Sequence, residues 1–341
     1  ITPDDKSLDL GVAQNIVGNR AQEIQTVVDE TAAYVKNIVM MDPKYSKVRQ
    51  DCKNRHEDCS FWKLAGECEE KPGYMHIHCA PACQTCELLQ YETRCPMQAP
   101  LDNAWGPGDL HDMFERIMAD EDLRKYEPTI LSSPHDAEGG PWMVMFDNFA
   151  TPEECQRLIE LGGMEGYKRS ADVGEERFDG SFGNYVNKGR TSTNAWCQNK
   201  CYEDPLAKNV IERISKVTNI PERNSEYLQL LKYEESQFYQ IHNDYIPHET
   251  KRQQGNRLLT FYIYLSDVEE GGGTRFPTLN QTVIPKRGRA VLWPSVLNED
   301  PSKKDDRTDH TALPVIRGTK YGANAWIHMR DFKTPNKNGC Q

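Results

Sequence analysis

The chain has 341 residues, 27% of them charged, with 52 acidic against 41 basic side chains and a formal net charge of −11. That length accommodates a full enzyme domain with one or two small appendages, and no apolar run approaches the roughly 20 residues that cross a bilayer, so a soluble protein without a membrane span is expected. The acidic balance argues against a nucleic-acid partner, because neutralising phosphates requires a basic surface.

The chain begins at Ile1 rather than methionine and is expected to derive from a longer, processed precursor. Residues 12–41 lack proline and carry one glycine, Gly18. Val17, Ile24, Val27, Tyr34, Ile38 and Met41 recur at helical intervals, which predicts an amphipathic helix stopped by Asp42-Pro43, inside an N-terminal segment over 1–50. Its stripe either packs on its own chain, the reading favoured here, or offers a face for self-association into an oligomer.

Of 11 cysteines, six crowd into the next segment, 51–87: Cys52, Cys59, Cys68, Cys79, Cys83 and Cys86. Such density belongs to oxidising compartments, and the sequon Asn280-Gln281-Thr282, a glycosylation signal at Asn280, points the same way. A location in the endoplasmic reticulum lumen or outside the cell is expected. So short a segment buries little core, and three cross-links would replace it. Zinc is the rival at Cys79, Cys83 and Cys86, but the upstream cysteines are too widely spaced for a second knuckle. Many pairings of six cysteines exist and spacing does not choose among them; Cys95, Cys155 and Cys340 have no assigned partners.

Residues 88–140 read as a connector, with Gly106-Pro107-Gly108, a short helical pattern from Asp109 to Tyr126 and a polar run over 132–140. A catalytic domain is expected over 141–333, followed by a tail over 334–341. It opens with a strand from Trp142 to Phe146, then a helix with Thr151 as N-cap, Pro152 at the first position and Glu154 at the third. A second helix begins at Asp204-Pro205, shows Val210, Ile211, Ile214 and Val217 on one face, and ends before Pro221. Beyond Glu226 the period becomes two. Leu259, Phe261, Ile263 and Leu265 share one face of a strand, and Thr260, Tyr262 and Tyr264 the other. Further strands are predicted at Thr282–Val283, Ala290–Trp293, Ala312–Ile316 and Ala323–His328. Two helices followed by many antiparallel strands predict a mainly β fold with supporting helices, a double-stranded β-helix or jelly roll.

The β region carries His242-Asn243-Asp244. Strand alternation puts His242 and Asp244 on one side, and His310, at the start of a later strand, completes a two-histidine, one-carboxylate triad for iron(II). Three metal positions then stay open for a chelating cosubstrate and oxygen. Lys320 lies ten residues after His310. A buried lysine needs an anionic partner, and the distal carboxylate of 2-oxoglutarate supplies one. The plain alternatives are two unrelated surface residues at His242 and Asp244, and a solvated turn lysine at Lys320.

Two resemblances bear on these residues. The cysteine spacing and the stretch from Gly66 to Met75 resemble the ShK-toxin-like (ShKT) module, which implies the pairs Cys52–Cys86, Cys59–Cys79 and Cys68–Cys83. From Trp142 to Phe332 the chain resembles the prolyl 4-hydroxylases. The match is carried by Phe149 to Cys155, Arg190-Thr191-Ser192-Thr193, Leu228 to Tyr233, His242 to Tyr245, Tyr264 to Asp267, Thr274 to Pro277, Gly288 to Trp293, and His310 through Lys320 to Trp326-Ile327-His328. This resemblance implies that iron(II) is held by His242, Asp244 and His310, with 2-oxoglutarate on Lys320 in a pocket lined by Tyr264 and Thr274 and Tyr233 beside the metal. It places Arg190 and Ser192 on a closing loop, and Tyr239, Arg257, Trp326 and His328 along a groove for a proline-rich peptide. It implies O2 as oxidant, ascorbate as reductant, and hydroxylation at C4 of peptidyl proline with release of succinate and carbon dioxide. The chain departs from the family at Cys197 and Cys201, where a disulfide would stiffen the base of the closing loop. The competing readings are a hydroxylase of another residue such as lysine, and a non-catalytic extracellular binding or structural protein.

Overall fold

The computed structural model describes residues 8–97, 99–137 and 139–340, which fall into two units. The first comprises 1–99, 175–183 and 334–341; the second comprises 100–174 and 184–333. No helix among the described residues is long and apolar enough to cross a membrane.

In the first unit a helix, Ala21–Tyr34, buries Ile24, Val27, Thr31 and Tyr34 and runs into a π-helical turn, Val35–Val39. It is shorter than the expected 12–41 because Gly18 takes a left-handed φ of +84° ahead of it. Val17, Ile38 and Met41 are exposed, and Val35 and Val39 continue the buried stripe in their place. That stripe packs with Cys52, Ala80, Cys86 and Leu89 of the same unit, so the face that self-association would have used is covered by its own chain. Disulfides join Cys52 to Cys86, Cys59 to Cys79 and Cys68 to Cys83 around four short helices. A fourth bond joins Cys95 to Cys340, 245 residues apart, and ties the C-terminal residues into this unit. There Gly73 and Gly339 are in backbone contact; a Cβ on Gly73 would lie 2.6 Å from the Gly339 nitrogen.

The strands in chain order are β1 (Pro128–Ser132), β2 (Met143–Phe146), β3 (Lys168–Arg169), β4 (Asp172–Glu176), β5 (Phe182–Tyr185), β6 (Thr193–Trp196), β7 (Gln229–Tyr233) and β8 (Tyr239–His242). There follow β9 (Arg257–Tyr264), β10 (Glu270–Gly271), β11 (Thr274–Phe276), β12 (Gln281–Val283), β13 (Ala290–Pro294), β14 (His310–Ala312), β15 (Val315–Arg317) and β16 (Lys320–His328). A major antiparallel sheet has the order β1-β2-β13-β9-β16-β7-β6-β3, and a minor sheet the order β12-β11-β14-β8. Central β9 shows how the two faces are used. Leu259, Phe261 and Ile263 join the core under the helices, whereas Tyr262 and Tyr264 join a second core with Phe276, Val283 and Ala312 of the minor sheet. This is a double-stranded β-helix with helices on the outer face of the major sheet. Its site-facing residues lie between the sheets.

The helices form where their caps predict. Thr151 and Glu154 make a reciprocal capping box ahead of Pro152–Glu165, and Asp204 accepts from the amides of Leu206 and Ala207 at the head of Pro205–Thr218. The expected strand Ala312–Ile316 is instead two strands, β14 and β15, because Pro314 has no N–H for the ladder.

The domain boundary expected at 141 lies further upstream. A helix, Asp109–Ala119, buries Leu110, Met113, Phe114 and Ile117 in the main core, and β1 extends the major sheet by pairing with β2. Phe114, wholly buried, stacks on Trp142 with ring centroids 5.4 Å apart and planes 6° apart. The helical pattern expected from Asp109 is there, but its apolar face is part of the main core rather than of a connector. Phe114→Ala should therefore lower unfolding stability by about 3–5 kcal/mol, as for other buried aromatics. Urea denaturation followed by tryptophan fluorescence measures this, and an unchanged midpoint would return the segment to linker status.

Candidate active site

The β8–β14 pair supplies the centre of the site, with His310 directly opposite His242 in the register. β8 ends at His242, so Asp244 stands just beyond the strand rather than on it, contrary to the alternation argument. The turn is tied down by Asn243, whose side-chain amide donates to the Asp305 carbonyl and the Asp309 carboxylate. It still aims Asp244 inward: Asp244 Oδ1 lies 3.9 Å from His242 Nε2, and Oδ2 lies 3.6 Å from His310 Nε2. Both imidazoles direct Nδ1 at a backbone carbonyl, His242 at Gln240 O (2.7 Å) and His310 at Thr308 O (3.1 Å). Those bonds place the ring proton on Nδ1 and leave each Nε2 lone pair free towards the common centre. Burial, reinforced by His310, pushes His242 down to about 3, so its imidazole is neutral. Burial acts to raise Asp244, yet its carboxyl stays below the usual carboxylate range, with the Thr260 hydroxyl donating to it. Two neutral nitrogens and one carboxylate oxygen suit a divalent transition metal.

A pocket lined by Arg190, Tyr233, Tyr239, Tyr262, Thr274 and Lys320, among others, opens on this centre. Lys320, 1% exposed, projects into it from the start of β16. Its ammonium lies 5.2 Å from the ring centroids of Tyr233 and Tyr262 and 5.4 Å from that of Tyr264. Among the described residues it has no hydrogen-bond partner, and burial pushes its pKa down to about 7. A solvated turn lysine is thus ruled out. Aromatic faces alone do not neutralise an ammonium, so the residues present fit a small dicarboxylate with one end on Lys320 and the other on the metal. Thr274 lines the pocket, whereas Tyr264 is wholly buried behind it and donates to Thr274 Oγ1 at 2.7 Å, which holds that side chain in place.

The remaining residues divide. Arg190 and Tyr239 line the pocket mouth; the Arg190 guanidinium sits 4.6 Å from the Tyr239 ring, which stacks on His242 at 3.6 Å. Arg257 stacks 3.8 Å from the Trp326 ring and pairs with Glu226 at 2.6 Å. Ser192, expected on the closing loop, and His328, expected along the groove, are less accessible. Both are wholly buried, Ser192 bonded to the Ser170 hydroxyl and His328 to Glu226 and the Gly255 carbonyl. Burial acts to raise Glu226, yet Arg257 and His328 hold it down at about 2, making a closed charge network beneath Trp326. The Cys197–Cys201 bond closes just after β6, and Asn280 is exposed in the turn between β11 and β12.

Two site residues escaped the sequence reading. Thr260 donates to Asp244 Oδ2 at 2.6 Å, and Tyr262 flanks Lys320. The signal was there: both share the polar face of β9 with Tyr264. A second cluster, His111, Glu115 and His135, has metal-like spacing. The Trp142 indole donates to His111 Nδ1 at 3.1 Å, which leaves the proton on Nε2, the nitrogen facing Glu115. That tautomer offers no lone pair there.

The sequence pattern of the 2OG-Fe(II) oxygenase superfamily matches residues 228–328, and that of ShK-like domains matches 51–86. A probable prolyl 4-hydroxylase 8 from Arabidopsis thaliana is 32% identical over 261 residues, covering 66% of this chain and 82% of its own. Prolyl 4-hydroxylase subunit alpha-2 from Gallus gallus is 35% identical over 144 residues, 41% of this chain, which spans only 26% of that longer subunit. Among solved structures, a viral collagen prolyl hydroxylase from Paramecium Bursaria Chlorella virus-1 in its 2OG complex aligns at 28% identity and a TM-score of 0.41, covering 55% of this chain and 95% of that one.

Proposed function

Because this chain belongs to the iron(II)- and 2-oxoglutarate-dependent prolyl 4-hydroxylase family, we propose that it hydroxylates C4 of proline within extended, proline-rich stretches of secretory proteins. The observation that carries the reading is the buried, unpartnered ammonium of Lys320 beside a His-Asp-His donor set. Iron(II) with 2-oxoglutarate and O2 supplies the oxidising power: one oxygen atom leaves in succinate as carbon dioxide departs, and the other becomes the proline hydroxyl.

The protein's own part is holding and orientation. His242, Asp244 and His310 would hold the metal, and the Thr260 hydroxyl fixes the orientation of the Asp244 carboxylate. Lys320 anchors the distal carboxylate, with Tyr233, Tyr262 and the Tyr264–Thr274 pair excluding water around it. Arg190, Tyr239 and Trp326 meet the peptide, whose polyproline II form suits aromatic faces and donors to its carbonyls. Ser192, Arg257 and His328 act from beneath, through the networks that fix these surfaces. Ascorbate would serve as the external reductant that keeps such a site active. Five disulfides and an exposed sequon at Asn280 support a place in the endoplasmic reticulum lumen or outside the cell.

The test is incubation with iron(II), 2-oxoglutarate and a panel of proline-rich peptides, read by mass spectrometry and succinate release. Gain of one oxygen on proline is expected. Gain on lysine alone, or on no peptide, would overturn the assignment.

A further inference from the structure

The root of the β4–β5 hairpin carries a contact that the chemistry above does not use. Asp172, the first residue of β4, directs both carboxylate oxygens at partners from three other places in the chain. Its Oδ1 accepts from the Tyr239 hydroxyl at 3.0 Å and from Arg190 Nη1 at 3.3 Å; its Oδ2 accepts from the Asn187 side-chain amide. Arg190 is further held by Gln229 Oε1 at 2.9 Å, yet among the described residues its Nε–H has no acceptor, although the residue is 6% exposed. The Tyr239 ring lies almost parallel to the His242 imidazole, 21° between planes. One carboxylate oxygen therefore sets both pocket-mouth side chains, one of which keeps a donor unused and the other of which lies flat on a metal-ligating ring.

We propose that Asp172 is a positioning residue for peptide recognition, a latch that joins the hairpin root to Arg190 and Tyr239. The guanidinium and the phenol are both flexible in isolation. A shared charged acceptor removes that freedom before a peptide arrives, which lowers the ordering cost of binding. The same latch reinforces the backbone pairs that flank it, Thr191 N–H to the Phe238 carbonyl at 2.9 Å and Gln240 N–H to the Gly189 carbonyl at 2.7 Å. The kinetic part of this proposal rests on the hydroxylase reading; the structural part does not.

Two measurements on the full chain separate these parts. Hydrogen exchange on the ligand-free protein should show the Thr191 and Gln240 amides exchanging faster in Asp172→Ala. The peptide KM should rise roughly 10- to 100-fold, the loss of charge-assisted hydrogen bonds, while the KM for 2-oxoglutarate is unchanged. Asp172→Asn keeps an acceptor for Tyr239 but no charge for Arg190, so it should fall between wild type and alanine in both readings. If Asp172→Ala fails to fold, the near-isosteric asparagine variant carries the same test at smaller amplitude. Unchanged exchange overturns the latch, and faster exchange with a wild-type peptide KM overturns its role in recognition. If the wild-type protein hydroxylates no proline peptide, the hydroxylase reading falls and exchange alone decides the latch.

Discussion

Asp244→Ala is expected to abolish both iron retention and succinate release while leaving the protein folded. Asp244 is the only anionic ligand in the cluster, and its charge balances part of the divalent cation. Two neutral imidazoles remain, too few to hold a labile metal in a partly buried site. His242→Ala should have the same outcome for a different reason, since it leaves one nitrogen and one oxygen. Elemental analysis of iron after gel filtration, with circular dichroism as the folding control, reads the first effect directly. A variant that keeps its iron and releases succinate at the wild-type rate would place the metal elsewhere.

Lys320→Ala should spare iron but lower 2-oxoglutarate affinity by roughly two to four orders of magnitude. Leaving one member of a buried charge pair alone costs about 3–5 kcal/mol, and each 1.4 kcal/mol is about tenfold. Lys320→Arg should rescue only in part, because a planar fork does not fit where a point charge sat. The same residue predicts a pH signature in the ligand-free protein. Unfolded, the lysine holds its proton to 10.5; folded, burial releases it near 7. The unfolded state thus binds the extra proton between those values, so folding stability should rise with pH across that window, by a few kcal/mol. Below pH 7 the burial penalty is present in full. Saturating 2-oxoglutarate should flatten the rise by pairing with the ammonium, and Lys320→Met should remove it. Isothermal titration and denaturation at several pH values check both effects. Near wild-type affinity in Lys320→Ala would show that the anchor lies elsewhere.

What the amino-acid sequence alone reveals is local. The alternation across Leu259 to Leu265 assigned both faces of β9, and the Thr151–Glu154 and Asp204-Pro205 signals started two helices, because caps and period-two patterns are properties of neighbouring residues. His242 and Asp244 were legible as a pair, but the strand end at His242 was not, since it depends on how Asn243 is held by Asp305 and Asp309. Burial of Ser192 and His328 was equally hidden. It is decided by Ser170 and by Glu226 with Gly255, partners 22 to 102 residues away. The helix Asp109–Ala119 is legible in the sequence but its place in the main core is not, because amphipathicity says that a face is buried without saying against what.

The bond between Cys95 and Cys340 closes residues 95–340 into one covalent ring. Cross-linking residues that far apart removes about 5 kcal/mol of chain entropy from the unfolded ensemble. It also changes what a protease can accomplish. A single cut anywhere between the two cysteines opens the ring without separating the pieces, so the nicked protein keeps its mass and travels as one species on a non-reducing gel. Only a thiol reductant releases two fragments. In a compartment that holds this bond oxidised, a nicked enzyme stays in one piece and keeps its metal ligands within reach of one another.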